Sequence, residues 1–234
     1  MTGKTLADFP IARRWKPRNP ENIQLYAFPT PNGVKASIAL EETGLPYDAH
    51  TVKLSETTTP EFLSLNPNNK IPAIIDPHGP NGDAFGLWES GAILIYLADK
   101  AGRLLPEDPA GRYETIQWLM FQMGGIGPMF GQYGFFGVFG GQDIEDPRPR
   151  ERYRHEAIRL LNVLEGRLKD RQFIMGDEYT IADIATFPWV RTAREFYNAY
   201  DAFEMDKTPA VMDWLDRCIA RPASQRGLVQ PPRE

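Results

Sequence analysis

Every strand-like run in this sequence lies before Arg103, and that one asymmetry excludes any single sheet extending through the whole chain. Upstream of it, IQLYAF (Ile23–Phe28) reads as a strand and stops at the turn-forming run Pro29-Thr30-Pro31-Asn32-Gly33. Val34–Thr43 carries helical spacing and ends at Gly44, a natural stop. Tyr47–Leu54 reads as a second strand, and Pro60–Leu65 as a short helix with proline in its first turn. Ile71–Asp76 is β-branched and entered through Pro72; a Gly/Pro/Asn turn over 79–83 leads to Ala84–Trp88, consistent with a hairpin. Glu89–Ala101 is a helix apolar around most of its circumference. The order β-α-β-α-β-β-α predicts a small mixed sheet with helices on its faces. Downstream, LLPEDPAG is a linker by composition, and only helices follow. Ala110–Met123 is one. Arg148–Asp170 is amphipathic, with Tyr153, Ala157, Leu160, Leu161, Leu164 and Leu168 on one face. Thr180 and Asp183 form a capping box, and Val211, Trp214, Leu215, Cys218 and Ile219 mark a last helix. The predicted class is α/β followed by all-α. Residues 1–21, polar and punctuated by proline, read as an extended arm outside the core.

Composition removes several function classes. Lys plus Arg number 26 against 31 Asp plus Glu, a net charge of −5, which argues against a nucleic-acid partner. Cys218 is the only cysteine, so no intramolecular disulfide, cysteine-ligated metal or protein Cys-x-x-Cys chemistry fits. His50, His78 and His155 are too widely spaced to suggest a metal site, so no metal is expected. The longest apolar stretch, Ala92–Ala98, is too short for a bilayer, and the N-terminal sequence has no apolar signal core; the expectation is a soluble, cytoplasmic protein without a membrane partner. Gly125-Ile126-Gly127 lacks the strand and glycine spacing of a dinucleotide loop, and no G-x-S-x-G elbow is present.

Three motifs carry chemistry, each with an ordinary alternative. Thr30-Pro31-Asn32-Gly33 is either a plain cap or an anion site, since a helix N-terminus offers unpaired N–H groups and Thr30 and Asn32 add donors. In Asn69-Lys70-Ile71-Pro72, the proline is either an ordinary trans residue at a strand start or a cis one that turns the Ile71 backbone outward to pair with an extended ligand. In Trp88-Glu89-Ser90-Gly91, either the acid simply sits in a first turn, or Ser90 holds a ligand carboxylate while Glu89 pairs with its ammonium, as suits an amino-acid head group. Met129–Phe139, rich in aromatics and glycine, reads either as an adaptable loop lining a second-substrate pocket or as interhelical core. Cys218 lies on an apolar stripe and reads as inert.

The blocks LYAFPTPNG, EFLSLNPNNKIPAIID, LWESGAILIYLADK, QWLMFQMGGIGPMFGQ and YTIADIATFPWV, in that order, resemble the glutathione transferase superfamily, and most nearly its bacterial Nu-class members with disulfide-reductase activity. The resemblance implies a thioredoxin-like domain over 22–102, an all-helical domain over 110–225, a tail over 226–234 and a homodimer. It implies glutathione, reduced or oxidised, as co-substrate, and a small disulfide or hydrophobic electrophile as partner. It places Thr30 and Asn32 beside the glutathione sulfur. Lys70 would bind the peptide, with main-chain pairing from Ile71 ahead of Pro72, and Glu89 and Ser90 would hold the γ-glutamyl group. Arg152, in Glu151-Arg152-Tyr153, is a further implied contact, as is Thr57, although its loop LSETTTPEF is shorter than in some relatives. The same superfamily includes conjugating enzymes and non-catalytic regulatory members. Residues 1–21 lack the Gln/Asn-rich composition that would favour the latter.

Overall fold

The computed structural model describes residues 3–233, which form two compact units: one runs through Arg103 and resumes at Pro222, the other spans Leu104–Arg221. In the first, the elements are α1 (Ile11–Arg14), β1 (Ile23–Ala27), α2 (Gly33–Thr43), β2 (Tyr47–Thr51), α3 (Pro60–Leu63), β3 (Ala73–Asp76), β4 (Phe85–Trp88) and α4 (Ser90–Ala101). The second holds α5 (Pro109–Phe121), α6 (Gly127–Val138), α7 (Arg148–Leu168), α8 (Ile181–Glu195) and α9 (Pro209–Ala220). The last helix, α10 (Pro222–Gly227), returns to the first unit.

The sheet order is β2-β1-β3-β4. β1 and β2 run parallel with Ile23 opposite Tyr47, whereas β3 is antiparallel to β1 with Leu25 opposite Ile74. β4 closes the hairpin with Ala73 opposite Trp88. A βαβ half joined to a ββα half is the thioredoxin-like arrangement. β1 is buried along its whole length, so the Gln24 amide needs partners. Gln24 donates to the carbonyls of Asn19 and Asn22 at 3.0 and 2.7 Å and accepts from His50 Nε2 at 2.8 Å. α2 ends at Gly44, whose φ of 73° is the left-handed stop that glycine takes without a Cβ penalty.

Two expectations about the ends of the chain need correction. Residues 3–21 are not an extended arm. Ile11 is fully buried in the same cluster as Tyr26, Phe62 and Ile75, Trp15 Nε1 donates to the Thr51 carbonyl at 3.0 Å, and Lys4 accepts from the Ala84 amide at 2.8 Å. The Asp48 carboxylate accepts from the Arg18 and Asn19 amides, both at 2.7 Å, and from Asn22 Nδ2 at 3.1 Å. The few apolar pegs in this segment are too sparse to show a period, yet each fills a hole in the core. The expected break at residue 225 falls inside α10, which packs on α2: Ser37 Oγ donates to the Gly227 carbonyl at 2.7 Å, and a Cβ on Gly227 would lie 2.6 Å from Ile38 Cα.

In the helical unit the capping box at Thr180 is present, and the Asp183 carboxylate also accepts from the Ile174 amide and Trp214 Nε1 at 2.9 and 2.8 Å. Burial pushes that carboxyl up, against the pull of those hydrogen bonds. Met129–Val138 lie in helix α6 rather than a loop, and Phe139 caps its end. Its glycines serve close approach: a Cβ on Gly134 would fall 2.4 Å from the Tyr197 ring. Phe130 and Tyr133 are core, while Phe135 and Phe139 remain 44% and 47% exposed. Among the described residues no helix is long and apolar enough to cross a membrane.

Candidate active site

The sequence Thr30-Pro31-Asn32-Gly33 forms the entrance to α2. Thr30 Oγ1 accepts from the Gly33 amide at 3.2 Å and its carbonyl accepts from the Val34 amide at 3.1 Å, so Thr30 caps the first turn. Having accepted that bond, the hydroxyl keeps its own proton to donate. Gly33 is required by close approach, because a Cβ there would sit 1.9 Å from the Phe28 carbonyl oxygen. Asn32 makes no capping bond with its side chain.

A cavity of about 290 Å³ opens beside this turn, lined by Thr30, Asn32, Leu54, Thr57, Asn69, Lys70 and Ile71. Five residues named from sequence therefore meet: Thr30, Asn32, Thr57, Lys70 and Ile71. The Ile71–Pro72 bond is cis, and Ile71 precedes Ala73, the first residue of the β3 ladder. The loop before it is braced by its asparagines: Asn66 Nδ2 donates to the Lys70 carbonyl at 2.5 Å, and Asn69 takes a φ of 60°, which asparagine tolerates. Thr57 is buried, with Oγ1 2.6 Å from Asn69 Oδ1 and 2.9 Å from the Leu54 carbonyl.

Glu89 and Ser90 open α4. Glu89 has φ 72° and ψ 116°, a conformation that costs a non-glycine residue about 1–3 kcal/mol and persists only where its neighbours enforce it. Here the Ala73–Trp88 pairing fixes one side, and Asn68 Nδ2 lies 3.4 Å from Glu89 Oε1. Ser90 is buried and accepts from Lys35 Nζ at 3.4 Å.

Lys35 is a buried charged group beside Ser90 that no sequence motif singled out. It sits in the first turn of α2 and is 0% exposed; burial drives its ammonium down to about 7, against the pull of Glu89. The available signal was the company it keeps: Val34, Ala36, Ser37, Ile38, Ala39 and Leu40 are all buried, leaving no wet face for a lysine. Through Lys35 the N-terminal turns of α2 and α4 meet, so two positive dipole ends and one ammonium converge. The electrostatics favour an anion, with the exposed Glu89 carboxylate beside it to receive a cation.

Arg152 lies on α7 in the helical unit with its side chain exposed, and it does not line the cavity. Cys218 is buried on α9. Burial holds His50 at about 4, so its ring is neutral at pH 7. Among the described residues no group of three or more potential ligands is placed to hold a metal ion.

The chain matches the family models "Glutathione S-transferase, N-terminal domain" over residues 21–99 and "Glutathione S-transferase, C-terminal domain" over 128–222. It is 44% identical over 214 residues to the disulfide-bond oxidoreductase YfcG of Escherichia coli (strain K12), covering 89% of this chain and 95% of that protein. Among solved structures, a glutathione transferase from Burkholderia graminis, with two glutathione molecules bound per subunit, is 59% identical with a TM-score of 0.96, covering 100% of this chain and 98% of that one. Another, from Pseudomonas putida with one glutathione disulfide bound per subunit, is 57% identical with a TM-score of 0.95, covering 97% and 100% respectively.

Proposed function

The chain belongs to the glutathione S-transferase family, and from that premise we propose that it is a glutathione-dependent disulfide-bond reductase whose nucleophile is the thiolate of bound glutathione. The observation that carries this reading is the meeting of Thr30 and Asn32 with Lys70 and Ile71 around one cavity, in a chain whose only cysteine is buried on α9. The relatives point the same way, one by its name and two by the glutathione or glutathione disulfide in their structures.

In this reading Thr30 and Asn32 face the sulfur. Lys70 and the Ile71 main chain, together with Thr57, hold the peptide. Ser90 and Glu89 take the carboxylate and ammonium of the γ-glutamyl group. Pro72 shapes the Ile71 backbone. Arg152 is a further contact on the strength of the Glu-Arg-Tyr match alone. The sulfur attacks a disulfide; one sulfur–sulfur bond breaks, one mixed disulfide forms, and the displaced thiolate takes up a proton. A second glutathione then releases glutathione disulfide, so both electrons come from glutathione and no metal takes part. We place the enzyme nearest the Nu class and infer a cytoplasmic homodimer.

Magnitudes show which groups matter. A thiol with pKa about 8.5 is about 3% ionised at pH 7, and lowering it to about 7 needs roughly 2 kcal/mol of preference for the thiolate. A helix N-terminus supplies about 0.3–1 kcal/mol. One hydrogen bond to the charged sulfur adds about 1.5–3 kcal/mol, so the Thr30 and Asn32 donors outweigh the dipole. Nucleophilicity falls as pKa falls, which leaves a net gain of only about threefold. Positioning of the two sulfurs supplies the rest. The test is turnover of hydroxyethyl disulfide beside an aryl halide, both with glutathione. Reduction that exceeds conjugation supports the reading; conjugation alone makes the protein a transferase, and neither makes it a binding protein.

A further inference from the structure

One wall of the cavity, Leu54 with Thr57, belongs to the short turn between β2 and α3. That turn has little apolar anchorage, since Leu54 is 58% exposed. Its shape depends on Glu56. Oε2 of that residue accepts from the Lys53 amide at 3.0 Å, closing the turn on itself, and its carbonyl accepts from Thr59 Oγ1 at 2.7 Å. The other carboxylate oxygen, Oε1, accepts from Arg14 Nη2 at 2.8 Å, and Arg14 Nη1 lies 4.0 Å from Glu61 Oε2. The Arg14 bond is the leading reason that the Glu56 carboxyl is held below its ordinary range.

Arg14 is itself fixed. It ends α1, whose Ile11 is buried in the core, and its guanidinium lies 4.9 Å from the Trp15 ring centroid. Trp15 is tied to Thr51, the last residue of β2, and stands edge-on to Tyr26 with centroids 6.3 Å apart. The N-terminal segment is thus keyed into the core and reaches out to hold a turn that the core does not hold.

We propose that Arg14 is a positioning residue for the cavity, acting through Glu56 to set the Leu54–Thr57 wall against which glutathione binds. The ligand part rests on the functional reading above; the mechanical part does not. An isolated, partly exposed ion pair is worth little to global stability, so the effect belongs in ligand affinity and local order.

Calorimetric affinity for glutathione, steady-state kinetics and amide hydrogen exchange on full-length Arg14→Ala, Arg14→Lys and Arg13→Ala test it. Arg13→Ala removes the same charge one residue away, and Arg13 makes no ion pair among the described residues. Arg14→Ala is expected to raise Kd and KM for glutathione about three- to fivefold, with kcat within about twofold, and to speed exchange of the amides at 53–59 but not those of β3. Arg14→Lys should recover most of the affinity, and Arg13→Ala should match the parent. Unchanged affinity in Arg14→Ala, or an equal loss in Arg13→Ala, overturns the proposal. If the parent itself fails to bind glutathione, the functional reading falls. Exchange at 53–59 then still decides whether Arg14 holds the wall, and unaltered exchange refutes that as well.

Discussion

Replacing Lys35 by methionine should abolish the pH dependence that this one residue imposes on stability. Folded, the buried ammonium titrates near 7; unfolded, it returns to 10.5. Between those values the unfolded chain binds a proton that the folded chain does not, so stability rises with pH, by about 1.4 kcal/mol per unit at most. Over the full window of 3.5 units that amounts to about 5 kcal/mol. Above pH 10 the trend is masked, because Tyr26 and Tyr197 have raised pKa values in the fold and their ionisation works in the opposite sense. The useful range is therefore about pH 7 to 9.5. Methionine has similar length and no proton to lose, but it removes the donor to Ser90, a loss of about 1–3 kcal/mol. At pH 7.5 the substitution should be neutral or stabilising by about 1–3 kcal/mol, while glutathione affinity falls. Urea unfolding at pH 7, 8 and 9, at one protein concentration, gives the answer. The parent's midpoint should climb relative to that of Lys35→Met; parallel curves would refute the buried-charge argument.

Other outcomes follow from the same geometry. Asn32→Ala should lower turnover of a small disulfide about tenfold or more while leaving glutathione affinity nearly intact, measured by stopped-flow kinetics beside calorimetry; equal losses would assign Asn32 to binding. Gly33→Ala drives a Cβ to 1.9 Å from the Phe28 carbonyl and should destabilise by about 1–3 kcal/mol while abolishing most turnover, read by thermal unfolding and a disulfide assay. His50, neutral in the fold with a pKa near 4 against 6.5 unfolded, should remove about 3 kcal/mol of stability as pH falls from 6.5 to 4. His50→Gln should flatten that loss in urea midpoints.

How much of this was legible in the sequence depended on whether a signal was local. Turns at Pro29–Gly33 and Gly79–Asp83 and the capping box at Thr180 are written in neighbouring residues, and the elements they bound stand close to the expected places. The strands came out shorter at their ends: Ile71 and Pro72 lie before β3, because pairing with β1 begins only at Ala73. Signals that exist only in three dimensions were lost. Ile11 and Trp15 look like isolated apolar residues in a basic stretch until the hole beneath α3 and β1 is seen. The glycines of α6 look like hinges until Tyr197 is found against one of them. Lys35 stands in a helix whose first two turns are buried on every side, which only the fold reveals. Thr57, discounted for its short loop, is turned into the cavity wall by Asn69.

In the proposed chemistry the reactive sulfur is borrowed from glutathione. The most direct measurement is an ultraviolet titration of the thiolate of glutathione bound to the Cys218→Ser protein, with Thr30→Ala alongside. The bound thiol is expected to titrate near 7, from about 8.5 free, rising by about one unit in Thr30→Ala, with disulfide reduction by Cys218→Ser undiminished. A bound thiol that titrates like the free one, or reduction that disappears with Cys218, would contradict it.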